Sequence, residues 1–167
     1  YKGTSEELES SSLDIKDKER FIIAPNGAVF SNDEGILPAM LASLWKTRDE
    51  ARAQKNELAR YAIKILMNSM YGVLASPNSR FHIRPLSNAI TYFGQHFIKL
   101  TAKRLEQSGL KVIYGDTDSV FVNVKADAID EAKAIGKRIE SDLNTFFRKH
   151  ITEEYRRESV LELEFEK

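Results

Sequence analysis

The chain has 167 residues, enough for one domain with a core or for two small lobes, and its 42% hydrophobic and 30% charged content is ordinary for a soluble globular protein. Lys plus Arg and Asp plus Glu both number 25, so no global basic excess points to nucleic acid, and any electrostatic footprint must come from local segregation of charge. Cysteine is absent, which excludes disulfides, thiolate metal sites and thiol catalysis and fits a reducing compartment; no apolar run approaches a membrane span, and no signal-peptide pattern opens the chain.

Residues 1–20 are expected to be a polar, flexible segment, Ser/Glu/Lys-rich from Thr4 to Arg20. Phe21-Ile22-Ile23-Ala24 and Ala28-Val29-Phe30 flank Asn26-Gly27, a strong hairpin signal, and residues 21–36 read as a β-hairpin and its connection. Gly35-Ile36-Leu37-Pro38 opens a helix, with Pro38 in its first turn, that runs to about Gln54 or Lys55. A second helix covers about Glu57 to Met70, and Gly72 is expected to serve as its C-terminal cap. Ser76-Pro77-Asn78-Ser79 is a loop. A third helix spans about Ser87 to Gln107 and stops at Ser108-Gly109. A fourth runs from about Asp127 to Arg148, with Ile129, Ala132, Ile135, Ile139, Leu143 and Phe146 at helical spacing. In the last segment Leu161, Leu163 and Phe165 alternate with Glu162, Glu164 and Glu166, the pattern of a half-buried strand. The chain opens on Tyr1 and closes on Lys167 within that pattern, so both ends read as cut and a fragment of a larger protein is expected.

Segregated charge lies on the first two helices. Arg48, Arg52 and Lys55 fall at i, i+4 and i+7 and share a face. On the second, Arg60, Lys64, Asn68 and Tyr71 lie within about 40° of Lys64 at 100° per residue. The short connection makes the pair an antiparallel hairpin, and its two cationic stripes suit one polyphosphate. A solvated face paired with Asp49, Glu50 and Glu57 is the plainer account, but it needs neither the amide of Asn68 nor the phenol of Tyr71.

Tyr114-Gly115-Asp116-Thr117-Asp118-Ser119 sits between strand-like runs at 111–113 and 120–124. Strand, turn and strand hold two carboxylates at a hairpin tip, where a hard divalent cation relieves their repulsion. Taken alone, a polar turn is the simpler account, since Gly, Asp, Thr and Ser are ordinary turn residues.

Lys64-Ile65-Leu66-Met67-Asn68-Ser69-Met70-Tyr71-Gly72 followed by Tyr114-Gly115-Asp116-Thr117-Asp118-Ser119 resembles the paired motifs of family B DNA polymerases: the fingers motif Lys-x-x-x-Asn-Ser-x-Tyr-Gly and the palm motif Tyr-Gly-Asp-Thr-Asp-Ser. Leu37-Pro38 and Arg48 ahead of the first, Ile90-Thr91 and Gly94 in the third helix, and Leu161 to Glu166 at the end match as well, in the family's order over about residues 21–167. The short gap from Arg48 to Lys64 is most similar to the bacterial polymerase II branch, whose fingers hairpin is compact.

The resemblance implies an α+β fold: a partial, ferredoxin-like antiparallel palm sheet with helices on one face (residues 76–167), and a two-helix antiparallel fingers hairpin (residues 37–75). It implies that Arg48 and Lys64 grip the incoming deoxynucleoside triphosphate, with Asn68 beside it and Arg52 where the family often has a second cation. Tyr71 and Gly72 would floor the nascent base pair. Asp118 would bridge two Mg²⁺ ions with Asp116 nearby, and Glu164 stands where the family has a carboxylate near the metals, although a solvent-facing strand residue reads equally well there. Arg80 and Thr117, with His82, are candidates for contact with DNA; His96 and His150 have no partner pattern and read as structural or exposed.

The implied reaction is template-directed addition of deoxynucleotides to a primer 3′ end, with primer–template DNA as partner, no membrane, and a cytoplasmic, nucleoid-associated, prokaryotic location. The chain lacks the family's upstream motif Asp-x-x-Ser-Leu-Tyr-Pro, which carries the other principal aspartate, so the remainder of the polymerase chain is an expected partner and the 167 residues alone are not expected to extend a primer. A subunit of a split polymerase is one alternative. A non-catalytic DNA-binding module of polymerase-like fold is another, and the intact Asp116, Asp118 and Lys64 argue against it because folding does not demand them. A Mg²⁺-dependent phosphohydrolase could use the aspartate turn but leaves the Lys64/Asn68/Tyr71 face without a purpose.

Overall fold

The computed structural model describes residues 1–9, 17 and 19–166, and the chain divides into two units, Tyr1–Tyr92 and Phe93–Lys167. Strands alternate with helices in the order β1 (Gly3–Thr4), α1 (Ser5–Glu9), β2 (Phe21–Ile23), β3 (Ala28–Ser31), α2 (Ile36–Ala53), α3 (Glu57–Ala75), α4 (Arg84–Gln107), β4 (Lys111–Asp116), β5 (Ser119–Asn123) and α5 (Ile129–Tyr155). The class is α+β with small antiparallel sheets and a helical hairpin.

In the first unit β2 and β3 form the expected hairpin, with Ile23 opposite Val29 and Gly27 at φ 78 closing a loop over Pro25 and Asn26. The sheet order is β1-β3-β2, so the start of the chain supplies an edge strand. This corrects the expectation of a flexible opening for residues 1–9: the Lys2 N–H donates to Val29 O and the Ser5 N–H to Gly27 O, both at 2.8 Å. Backbone pairing needs no apolar pattern, which is why a polar segment concealed it. Residues 10–16 and 18 of that segment lie outside the described residues.

Helices α2 and α3 pack as the antiparallel hairpin read from the sequence. The Lys55 N–H bonds Arg52 O (3.0 Å), the Asn56 N–H bonds Ala51 O (2.9 Å), and Lys55 takes φ 56, which closes α2 in a Schellman motif. Lys55 therefore sits past the helix end and not on the face of Arg48 and Arg52. Asn56 Oδ1 caps α3 by accepting the Ala59 N–H at 3.1 Å. Gly72 does not cap α3. The helix runs one further turn to Ala75 and ends at Ser76, whose ψ of 123° is the extended geometry that Pro77 imposes on its predecessor.

In the second unit α4 ends as expected at Gly109, which takes φ 81. The core is Thr101 and Leu105 of α4 against Leu143, Phe147 and Ile151 of α5, with the Phe97 and Phe147 ring centroids 5.7 Å apart. Helix α5 continues past the expected Arg148 to Tyr155, and its buried positions are Gly136, Leu143, Phe147 and Ile151. Ile129 is exposed because it is the first residue of the helix.

The expected final strand is not one. Leu161 to Glu166 alternates half-buried and exposed residues as read, but it has no ladder partner among the described residues, and Lys167 lies outside them. Alternation encodes which face is buried; it does not encode what satisfies the backbone.

Candidate functional site

The cationic face lies on α2 and α3. Arg48 is half-buried, its guanidinium carbon 5.8 Å from the centroid of the Trp45 ring, one helical turn back. Its Nε is buried and makes no hydrogen bond among the described residues, a donor left open at the cost that burial of a polar group carries. Arg52 and Lys64 are exposed and take no part in a salt bridge among the described residues. Arg60 behaves differently: its guanidinium reaches Glu57 at 2.6 Å, the ordinary i, i+3 pairing of a surface helix. Asn68 and Tyr71 are exposed. A Cβ added at Gly72 would meet nothing within 4 Å, so no contact inside this chain requires glycine there.

Arg80 is exposed, whereas His82 is tied into the fold: its Nδ1–H donates to Leu74 O at 3.0 Å, the carbonyl of a residue in the last turn of α3. His96 lies edge-on to Phe97, and the His150 ring stacks on Phe146 at an interplanar angle of 10°. Both are packing residues, as read from the sequence.

The aspartate hairpin owes its geometry to a feature the sequence does not announce. Val112 pairs with Val122 but Tyr114 pairs with Phe121, so β4 carries one extra residue, Ile113, as a bulge. Side chains alternate faces with period two, and one extra residue reverses the phase. Upstream of the bulge Val112 shares the half-buried face with Val122; downstream of it Tyr114 and Asp116 share the exposed face with Phe121 and Ser119. Were Ile113 paired in a regular ladder instead of bulged, the carboxylate of Asp116 would be carried on the other face. Tyr114 (57% exposed) and Phe121 (56%) stand beside it with ring centroids 5.8 Å apart.

Asp116 is the last residue of β4, opposite Ser119, and Thr117 and Asp118 are the two residues of the turn. Thr117 takes φ 29, a conformation that a β-branched residue adopts only under constraint and that costs about 1–3 kcal/mol. Its Oγ1–H donates to Asp116 Oδ1 at 2.9 Å. Asp118 makes no hydrogen bond or ion pair among the described residues, so its oxygens are open. Carboxylate oxygens are the hard donors that Mg²⁺ prefers, and Mg²⁺ commonly takes only one or two from protein, filling its octahedron with water and phosphate oxygens. Asp116 and Asp118 fit that role. Glu164 is exposed, and no group of three or more carboxylate, imidazole or thiol side chains placed to hold a metal occurs among the described residues, so Glu164 is not gathered with the two aspartates.

Trp45 and Ile113 are the functional positions that sequence reasoning missed. The i, i+3 spacing of Trp45 and Arg48 was a readable signal; the bulge had none. No helix among the described residues is long and apolar enough to cross a membrane.

The family model for DNA polymerase family B matches residues 3–161, and the chain belongs to that family. It is 39% identical over 140 residues to DNA polymerase II of Escherichia coli strain K12, an alignment covering 83% of this chain and 18% of that protein. It is 35% identical over 129 residues to the DNA polymerase alpha catalytic subunit of Oryza sativa subsp. japonica, covering 71% and 8%. Among solved structures it resembles the family B DNA polymerase from the hyperthermophilic archaeon Pyrobaculum calidifontis, with a TM-score of 0.55 and 26% identity over 84% of this chain and 18% of that one. The chain thus spans less than a fifth of the length of these relatives.

Proposed function

We propose that this chain supplies the nucleotide-gripping fingers and part of the metal-binding palm of a template-directed DNA polymerase. One contrast carries the reading. Arg60 is neutralised by Glu57, while Arg48, Arg52 and Lys64 on the same helical hairpin have no carboxylate partner among the described residues and Arg48 keeps a buried donor open. Cations left this way suit a polyphosphate.

In this reading the primer 3′-hydroxyl attacks the α-phosphate of a deoxynucleoside triphosphate and pyrophosphate departs. Arg48 and Lys64 hold the β- and γ-phosphates, with Arg52 as a second cation of α2, and offset charge that builds as the bond to the leaving oxygen breaks. The amide of Asn68 donates to the same nucleotide. Tyr71 and Gly72 present a flat ring and a bare backbone to the new base pair, and Arg80 and Thr117 face the DNA. Asp118, whose oxygens make no bond among the described residues, and Asp116, oriented by Thr117, would hold Mg²⁺, and Glu164, not gathered with them in this structure, would have to approach to join it. Two such ions, when bound, supply an activated hydroxyl and charge neutralisation at the phosphates. The other principal aspartate of the family's palm belongs to a motif not found in these 167 residues, so the chain alone does not extend a primer, and the remainder of the polymerase acts with it. A cytoplasmic, nucleoid-associated location goes with this reading.

Trp45 is the single tryptophan and it lies against Arg48, so its fluorescence reports on the grip directly. Titrating a deoxynucleoside triphosphate with Mg²⁺ is expected to change Trp45 emission saturably. Arg48→Ala and Lys64→Ala each weaken the apparent affinity roughly tenfold or more, the scale of a lost charge-assisted hydrogen bond. Equal titration curves for the wild type and both variants would refute the assignment.

A further inference from the structure

Side chains of α5, and no neighbouring strand among the described residues, hold the segment that follows it. Asn144 donates from Nδ2 to Leu163 O (2.9 Å) and accepts the Leu163 N–H at Oδ1 (2.8 Å). One turn back, Glu140 Oε2 accepts the Phe165 N–H (2.7 Å) and is itself bound by Lys137 Nζ (2.8 Å). One turn further back the Phe165 ring lies on Gly136, where a Cβ would come 2.7 Å or less from three ring atoms. Residues 136, 140 and 144 therefore make a track along one helix face, and the segment runs antiparallel to it.

The spacing of this track determines what it controls. Backbone N–H and C=O groups of an extended chain point to opposite edges at successive residues, so the track engages Leu163 and Phe165 and skips Glu164 between them. A slip of one residue would break every one of these bonds and turn the half-buried Leu161, Leu163 and Phe165 outward. Glu164 makes no hydrogen bond or ion pair among the described residues; its place is set by its two neighbours.

We propose that Asn144 and Glu140 are positioning residues for Glu164, pinning the peptide on both sides of an exposed carboxylate so that it is presented in a fixed place. What Glu164 does there rests on the polymerase reading above; the pinning rests on the geometry alone. Ordering the peptide in advance removes entropy that ligand binding would otherwise have to supply.

Amide exchange in the ¹⁵N-labelled 167-residue chain, followed by Mn²⁺ addition, separates the two. Leu163 and Phe165 amides are expected to exchange up to about tenfold more slowly than those of Glu162 and Glu164, with Asn144→Ala erasing the difference at Leu163. Mn²⁺, a paramagnetic stand-in for Mg²⁺, broadens Asp116, Asp118 and Glu164 in the wild type. Asn144→Ala lowers the broadening of Glu164 several-fold and leaves the aspartates as they were. Gly136→Ala, which displaces the Phe165 ring from the far end of the track, gives the same selective loss and covers a failure of the first variant to fold. Equal exchange across residues 162–165, or Glu164 broadening that neither variant changes, overturns the proposal. Alternating exchange with broadening confined to the aspartates upholds the pinning and removes Glu164 from the metal site.

Discussion

Replacing Gly72 by alanine is expected to stabilise the fold and weaken DNA binding together. Gly72 lies within α3, one hydrogen-bonded turn from its end, with its carbonyl accepting the Ser76 N–H at 2.9 Å. Its φ is not positive, so the position does not need glycine's conformational freedom, and a Cβ there meets nothing within 4 Å. Glycine in a helix interior costs about 0.5–1 kcal/mol relative to alanine. With no clash to offset, Gly72→Ala gains most of that. Urea unfolding followed through Trp45, on the neighbouring helix of the same hairpin, reads the gain as a midpoint raised by about 0.3–1 M, for a slope near 1 kcal/mol/M. If a base pair packs on this backbone, the added methyl costs binding about 1–3 kcal/mol, roughly fivefold to a hundredfold in primer–template affinity. Destabilisation would show crowding that the structure lacks. Stabilisation with unchanged affinity would remove Gly72 from the DNA-facing surface.

Lys55→Gly relieves a left-handed residue at the end of α2 and is expected to add about 0.5–1 kcal/mol to unfolding free energy in the same urea assay; a loss would mean that the Lys55 side chain holds a contact that outweighs its φ of 56. Deleting Ile113 removes the bulge but leaves Tyr114 opposite Phe121 and Asp116 opposite Ser119 in an unbroken ladder, on the same exposed face; Mn²⁺ broadening at Asp116 should persist, and its loss would show that the bulge does more than set which face carries the carboxylate. Glu140 is held below the ordinary carboxylate range by its hydrogen bond from Lys137 and then by the Phe165 N–H. A carboxyl with a lowered folded-state pKa stabilises above its ordinary pKa and loses that contribution as pH falls through the lowered value. Docking of the last segment is therefore expected to be pH-independent near neutrality and to weaken only below about pH 4, seen as acid-dependent shifts of the Phe165 ring signals that Glu140→Gln abolishes; release between pH 6 and 7 would contradict it.

The helical hairpin and the aspartate turn were legible because each has a local cause: helical spacing with a short connection in the one, turn residues between apolar runs in the other. What was not legible depends on partners distant in sequence. Gly3–Thr4 gave no apolar pattern because it is held by backbone pairing to Ala28 and Val29. The bulge at Ile113 arises from the register between β4 and β5, which neither strand specifies alone. The last segment showed true β alternation, yet Asn144 and Glu140, about twenty residues before it, take the place of a neighbouring strand. Gly72 misled for a different reason, since glycine near a helix end ordinarily signals a cap, and here Pro77 sets the stop one turn later.

Stability alone does not account for which polar groups this chain leaves open. Arg60 has Glu57, Lys137 has Glu140, and His82 has the carbonyl of Leu74. Among the described residues, similar groups a turn or a residue away go without: the Nε of Arg48 is buried and unbonded, Arg52 and Lys64 have no salt bridge, and Asp118 has no donor beside a turn strained at Thr117. A buried open donor and a strained β-branched residue each cost on the order of 1–3 kcal/mol. Optimisation for folding would remove them, because Asp49 and Glu50 on the same helix as Arg48 show that carboxylates were available. Arg48, Lys64 and Asp118 stand at positions that match the family, whereas the buried, unbonded Nε2 of His150 does not. Under the proposed function, the costly open groups at the motif positions are held for a ligand of opposite charge: phosphate for the cations of the hairpin, a divalent ion for Asp118.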